Sequence, residues 1–130
     1  MPSTFRPAHQ PTREAQKREH DQRRGSARER GYSRTWDKAA TGFKNRHPLC
    51  LGCEAVGRIA ATECVDHIVP HKGDKGRFWE RRNWQPSCRW HHDVVKQKLE
   101  GMFAKGQIGE RDLRLDSEAA RQLTLQFGAG

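Results

Sequence analysis

Cysteine and histidine are scarce in this chain and unevenly placed: four cysteines and seven histidines occur in 130 residues. The stretch "CVDHIVPHKGDKGRFWERRNWQPSCRWHH", residues 64 to 92, holds two of those cysteines, four of the histidines and an adjacent Asp66–His67 pair. Just upstream, "CLGC" supplies Cys50 and Cys53. Thiolates and imidazoles gathered in this way are the ligand chemistry of zinc, and two different sites can be drawn from them.

The first is a two-Cys, two-His finger, because Cys50, Cys53, His67 and His71 follow the spacing C-x2-C-x13-H-x3-H. Such a finger needs both histidines on one helix. Pro70 lies between them, lacks an N–H and pushes Val69 towards an extended conformation, which argues against that helix. The second site joins Cys50-x2-Cys53 to Cys88-x2-His91 across thirty-four residues. Each half is a tight turn with two ligands, and a Cys3His set completes a tetrahedral zinc. This reading leaves Asp66, His67 and His92 for a second centre of a different kind.

At this point the residues resemble a known family. "VDHIVPHKGD", "FWERRNWQPSC" and "RWHHDVVKQK" together resemble the His-Asn-His (HNH) endonuclease motif, with His67, Asn83 and His92 at its signature positions. The preceding "RGYSRTWDKAATGFKNRHPLCLGC" resembles the small zinc-binding bacteriophage members. The resemblance spans roughly residues 30 to 98, about half the chain. It implies an α+β fold, a small ββα-metal core stapled by a structural zinc, with flanking helices. It also implies that His67 is the general base, that Asp66 and His92 ligate a catalytic divalent ion, and that Asn83 steadies the loop presenting His67. Family members with zinc place a cysteine where this chain has His91, so His91 and His92 could exchange roles.

That chemistry is coherent. Hydrolysis of a phosphodiester needs an activated water, and an imidazole near its ordinary pKa of about 6.5 can take the proton. A divalent ion must offset charge on the phosphate and the departing oxygen; one carboxylate and one imidazole leave positions open for water and substrate. Oxygen-rich ligation with one nitrogen suits magnesium, manganese or nickel. Each residue also has a plainer use: Asp66 as a turn carboxylate, His67 as a core histidine, Asn83 as a turn residue, Cys64 as a small buried side chain.

The elements that must hold these residues are thin. The chain is 33% hydrophobic and 32% charged, a composition that makes a metal staple valuable. Its net charge of +9 and pI of about 10.0 point to a polyanionic partner, DNA on the present reading. Lys72, Arg77, Arg82, Arg89 and Lys96 are the cations expected to contact phosphates. Residues 1–32, with eight Lys and Arg against four acids, read as a flexible basic arm; 33–104 as the nuclease domain; 105–130 as a tail in which Asp116 or Ser117 caps a short helix. Within the domain, Trp36, Ala39, Ala40 and Phe43 mark a helix that Pro48 stops, "GRIAATECVDHIVP" reads as a strand, residues 71–87 as an irregular connection, and Val95, Leu99 and Met102 as one face of a second helix.

No apolar run approaches the ~18 residues of a membrane span, and no signal peptide is recognisable, so a reducing cytoplasm is expected, that of the host if the chain is phage-encoded. The H-x-E and P-C-x-x-C elements of zinc deaminases and the H-E-x-x-H of zinc proteases are absent. The expected function is therefore metal-dependent DNA cleavage with weak sequence preference, by nicking or double-strand scission. The resemblance implies phage DNA packaging with terminase subunits as a setting. A non-catalytic zinc-stapled module that binds nucleic acid is the rival reading.

Overall fold

A computed structural model of the protein describes residues 12–24 and 27–128. Two compact units divide between Lys38 and Ala39. The arm expected over 1–32 falls in the first, where residues 1–11, 25 and 26 lie outside the described residues. Helix α1 (Arg13–Arg24) begins at Thr12, whose Oγ1 accepts from the Ala15 N–H at 3.1 Å, a side-chain N-cap. Helix α2 (Ala27–Arg46) is longer than the apolar spacing of Trp36 to Phe43 suggests, and it ends before Pro48 as expected.

The second unit is α+β. Its order is α3 (Leu51–Glu54), β1 (Cys64–His67), α4 (Lys75–Trp79), a 3-10 turn (Arg81–Asn83), β2 (Trp84–Ser87), a π turn (His91–Val95), α5 (Lys96–Ala104), a second 3-10 turn (Glu110–Leu113) and α6 (Glu118–Phe127). The two strands pair antiparallel, with Asp66 opposite Gln85 and His67 opposite Trp84. Strand β1 is shorter than the sequence suggests, and the expected irregular connection over 71–87 contains a helix, a turn and a strand. Pro86 obscures β2; a two-stranded ribbon has only edge strands, so a residue without an N–H can face outward at no cost to the ladder.

Successive strand residues point to opposite faces. One face carries Asp66 and Gln85, both buried, towards the π turn and α5. The other carries His67 and Trp84 against Phe78, Trp79 and Phe43. Ile68, Val95, Leu99, Leu113, Leu115 and Ala120 form the main core, and Trp90 packs against both it and the cysteines. Residues 105–128 carry the short helix and join that core, with Leu113, Leu115 and Ala120 fully buried. Ser117 caps α6 as expected, its Oγ accepting from the Ala120 N–H at 3.0 Å. Among the described residues no helix is long and apolar enough to cross a membrane.

Candidate metal centre and histidine site

Cys50 and Cys53 converge because α3 is a single turn opened by Cys50, whose Sγ accepts from the Cys53 N–H. Cys88 and His91 repeat the device, the His91 N–H donating to the Cys88 Sγ at 3.4 Å. The four side chains are buried and their ligand atoms all lie within 4.8 Å of one another. Gly52 permits this: a Cβ there would come within 2.2 Å of the His91 ring.

The separations identify the kind of site. Cys53 and Cys88 sulfurs are 3.8 Å apart, and His91 Nδ1 stands 3.6, 3.4 and 3.4 Å from the sulfurs of Cys50, Cys53 and Cys88. A disulfide would need about 2.05 Å. The edges of a tetrahedron built on Zn–S of about 2.3 Å and Zn–N of about 2.0–2.1 Å are about 3.8 and about 3.5 Å. The Cys3His group therefore has the span and the donors to hold a metal such as zinc.

The histidine tautomer agrees. Thr124 on α6 donates its hydroxyl to the Ala120 carbonyl at 2.8 Å, so its Oγ1 accepts from His91 Nε2 at 3.0 Å. With the proton held on Nε2, Nδ1 faces the sulfurs with its lone pair. Burial pushes the Cys50 thiol up, but its contact with His91 and hydrogen bonds from the backbone outweigh it and bring it down to about 6. Burial, with the negative charge of Cys50 and Cys88, pushes Cys53 up to about 12. One thiolate forms readily here and its neighbours resist, a frustration that a divalent cation at the centre relieves.

The second group lies one residue away. The π turn sends His91 to the cysteines and His92 to Asp66: His92 Nδ1 donates to Asp66 Oδ1 at 2.8 Å. Asp66 Oδ2 accepts from Gln85 Nε2 at 2.8 Å and pairs with Lys96 Nζ at 3.2 Å. Its partners thus fix the carboxylate from behind and leave Oδ1 turned to a half-exposed imidazole. Among the described residues, only the Cys3His set brings three or more metal-ligating donors together.

His67 is oriented by the Phe78 carbonyl, which accepts from Nε2 at 3.0 Å; that tautomer carries its basic lone pair on Nδ1. Its ring also meets those of Phe78 and His71, with centroids 4.7 and 5.0 Å away. Burial, foremost, lowers its pKa below the ordinary 6.5. The hydrogen bond to Asp66, foremost, raises that of His92. Asn83 clamps the segment after His67, its Oδ1 accepting from the Val69 N–H at 2.9 Å and its Nδ2 donating to the Val69 carbonyl at 2.8 Å. Cys64 stays outside the cluster, its thiol directed at the Ser87 carbonyl.

Lys72, Arg77, Arg82 and Arg89 are exposed, as phosphate contacts must be. Lys96 is not. Fully buried, it donates to the His67 carbonyl at 2.6 Å and pairs with Glu100 at 2.9 Å as well as with Asp66, so it neutralises two carboxylates and has no access to a phosphate. Gln85 and Thr124 escaped the sequence reading. Thr124 left a trace: a polar side chain one turn after Ala120, on the apolar stripe of α6, is a mark of a buried hydrogen bond. Comparison with protein-family models, curated proteins and solved structures finds no match for this chain.

Proposed function

We propose that this chain is a metal-dependent endonuclease of the His-Asn-His type, hydrolysing DNA phosphodiester bonds on a zinc-stapled ββα-metal core. The observation that supports the reading most is the division of labour around one hairpin. Asp66 and His92 meet at 2.8 Å, Asn83 clamps Val69 through both of its amide atoms, and His67 between them is held by a backbone carbonyl.

In this proposal His67 takes the proton of the attacking water on Nδ1, and the Phe78 carbonyl stabilises the imidazolium that results. Asp66 and His92 would hold magnesium, manganese or nickel, which when bound would offset the charge of the phosphate and leaving oxygen. Gln85 and Lys96 keep Asp66 in place. Lys72, Arg77, Arg82 and Arg89 neutralise flanking phosphates, which carry no sequence information, so cleavage is weakly specific and weakens with salt. Phage DNA packaging beside terminase subunits is the setting the family resemblance suggests.

One observation favours the rival binding module: Asp66 is fully satisfied by His92, Gln85 and Lys96, as a structural carboxylate would be. A supercoiled plasmid assay with wild type and His67→Ala decides. The nuclease reading expects nicking or linearisation that needs added magnesium, manganese or nickel, and a loss of about 10²–10⁴-fold in the variant. Plasmid binding without cutting under every ion would leave the binding module standing.

A further inference from the structure

A cleft of about 480 Å³ opens between the end of α2, the segment around α3, and β2. It is lined by four arginines, Arg46, Arg81, Arg82 and Arg114, against a single carboxylate, Glu54. Phe43 and Trp84 form an apolar floor, packed edge to face at 5.7 Å. Trp84 is also the cross-strand partner of His67, and paired residues share a face, so the cleft adjoins the side of the hairpin that carries His67.

Several of these cations are held in place. The Arg81 guanidinium lies 5.9 Å over the Trp84 ring, and Arg114 is gripped by Asp116 at 3.0 and 3.2 Å, a pairing that offsets part of its charge. Arg81 and Arg82 stand on the turn that ends in Asn83, whose side chain anchors it to Val69. Arg46 closes α2 from the opposite side. The four therefore come from three separate parts of the chain and converge on one space.

We infer that this cleft binds the sugar-phosphate backbone of a nucleic-acid strand, at a phosphate other than the one beside His67. Guanidinium forks match phosphate oxygens in pairs, and the apolar floor suits the sugar edge between phosphates. The volume lies near the low end for small-ligand pockets, about 300–1,000 Å³, room for a nucleotide or two rather than a folded partner. The assignment deepens the nuclease reading and rests on it for direction: a strand gripped here is delivered along β2 towards His67.

The test is binding, measured by fluorescence anisotropy with labelled single-stranded and duplex oligonucleotides across a salt series, in a His67→Ala background. Arg46→Glu and Arg81→Glu are compared with Lys105→Glu, an exposed reversal outside the cleft, after circular dichroism and zinc content show all three folded. Each cleft variant is expected to bind at least one oligonucleotide about tenfold more weakly or worse, with a salt slope shallower by about 0.7–0.9 for each phosphate no longer neutralised. Lys105→Glu is expected to stay within about threefold, the effect of a diffuse charge. Cleft variants no weaker than Lys105→Glu would overturn the assignment, as would a poly-glutamate peptide that displaces the oligonucleotide as well as unlabelled DNA does. If the plasmid is never cut but the cleft variants still lose affinity, the nuclease reading falls and the cleft stands; cutting with normal cleft-variant binding gives the reverse.

Discussion

His91 and His92 are neighbours in sequence, yet the sites they serve are built in opposite ways. His91 is fully buried and closes a set of four donors. His92 keeps 37% of its side chain exposed and meets a single carboxylate. A closed tetrahedron leaves no position for a substrate, whereas a two-residue pair leaves room for other groups. On the proposed reading the difference gives stability to one centre and chemistry to the other, and both histidines stand on the same π turn. Its adjacent side chains reach different partners, the cysteines and Asp66, so one short segment anchors both.

The largest effect that could break this comparison is removal of the metal from the cysteine cluster. Structural zinc is worth about 10–16 kcal/mol in small domains, against a total stability of about 5–15 kcal/mol. Chelation, or Cys88→Ala, should therefore abolish the cooperative thermal transition of the second unit, followed by near-ultraviolet circular dichroism alongside metal content. A metal-free chain that melts cooperatively at the same temperature would mean that the cluster is not a staple.

Next in size is the buried charge behind the open site. Lys96→Met leaves Asp66 and part-buried Glu100 without their cation, a change that costs about 3–5 kcal/mol when a buried pair loses one partner. Arg89→Ala, on an exposed side chain, should stay within about 0.5 kcal/mol. Urea unfolding measures both. A Lys96→Met protein as stable as wild type but weaker on DNA would restore Lys96 to the phosphate contacts expected from sequence.

Smaller still is the support of the closed site by α6. Thr124→Val removes the acceptor for His91 Nε2 and so the partner that fixes its tautomer. Outer hydrogen bonds of this kind change metal affinity about 10–100-fold. Competition against a chromophoric chelator should show that loss, with Thr124→Ser recovering most of it because the hydroxyl returns. Equal affinity in all three proteins would make Thr124 a packing residue only.

How much of this was legible in the sequence depended on distance along the chain. Cys50 and Cys53, like Cys88 and His91, are joined by local turns, and local spacing displays them. The capping of α6 by Ser117 is local too, and was readable. What stayed hidden is carried by pairing between distant segments. Gln85 reaches Asp66 only because β1 and β2 align them in register, and Pro86 disguises that strand. Lys96 looks like any surface lysine until α5 packs its face against the hairpin and leaves it two carboxylates and a carbonyl as partners. The 105–128 segment reads as a tail because its few apolar residues are scattered; Leu113, Leu115 and Ala120 become core only once α5 supplies the other wall.

The finest discrimination between the two centres comes from protons. In the open site His92 titrates above the ordinary 6.5, raised first by its hydrogen bond to Asp66, and His67 below it, lowered first by burial. Without a divalent ion the two act on stability with opposite signs. The His92–Asp66 bond contributes fully below pH 6.5 and is lost as pH rises through the folded pKa of His92; part-buried neutral His67 favours the fold above 6.5, and that advantage is lost as pH falls towards its folded pKa. On the proposed nuclease reading, cleavage requires both to be neutral, one to bind the ion and one to accept a proton. At scarce divalent ion, proton and metal compete for His92, so the rate should fall up to about tenfold per pH unit below a midpoint above 6.5. At saturating ion the competition is overcome, and the acid limb should move below 6.5, where only His67 titrates. Initial rates of plasmid nicking against pH at two concentrations of manganese measure this. A limb that stays in place as manganese rises would separate the ion from His92, and with it the division between the open site and the closed one would need another pair of residues.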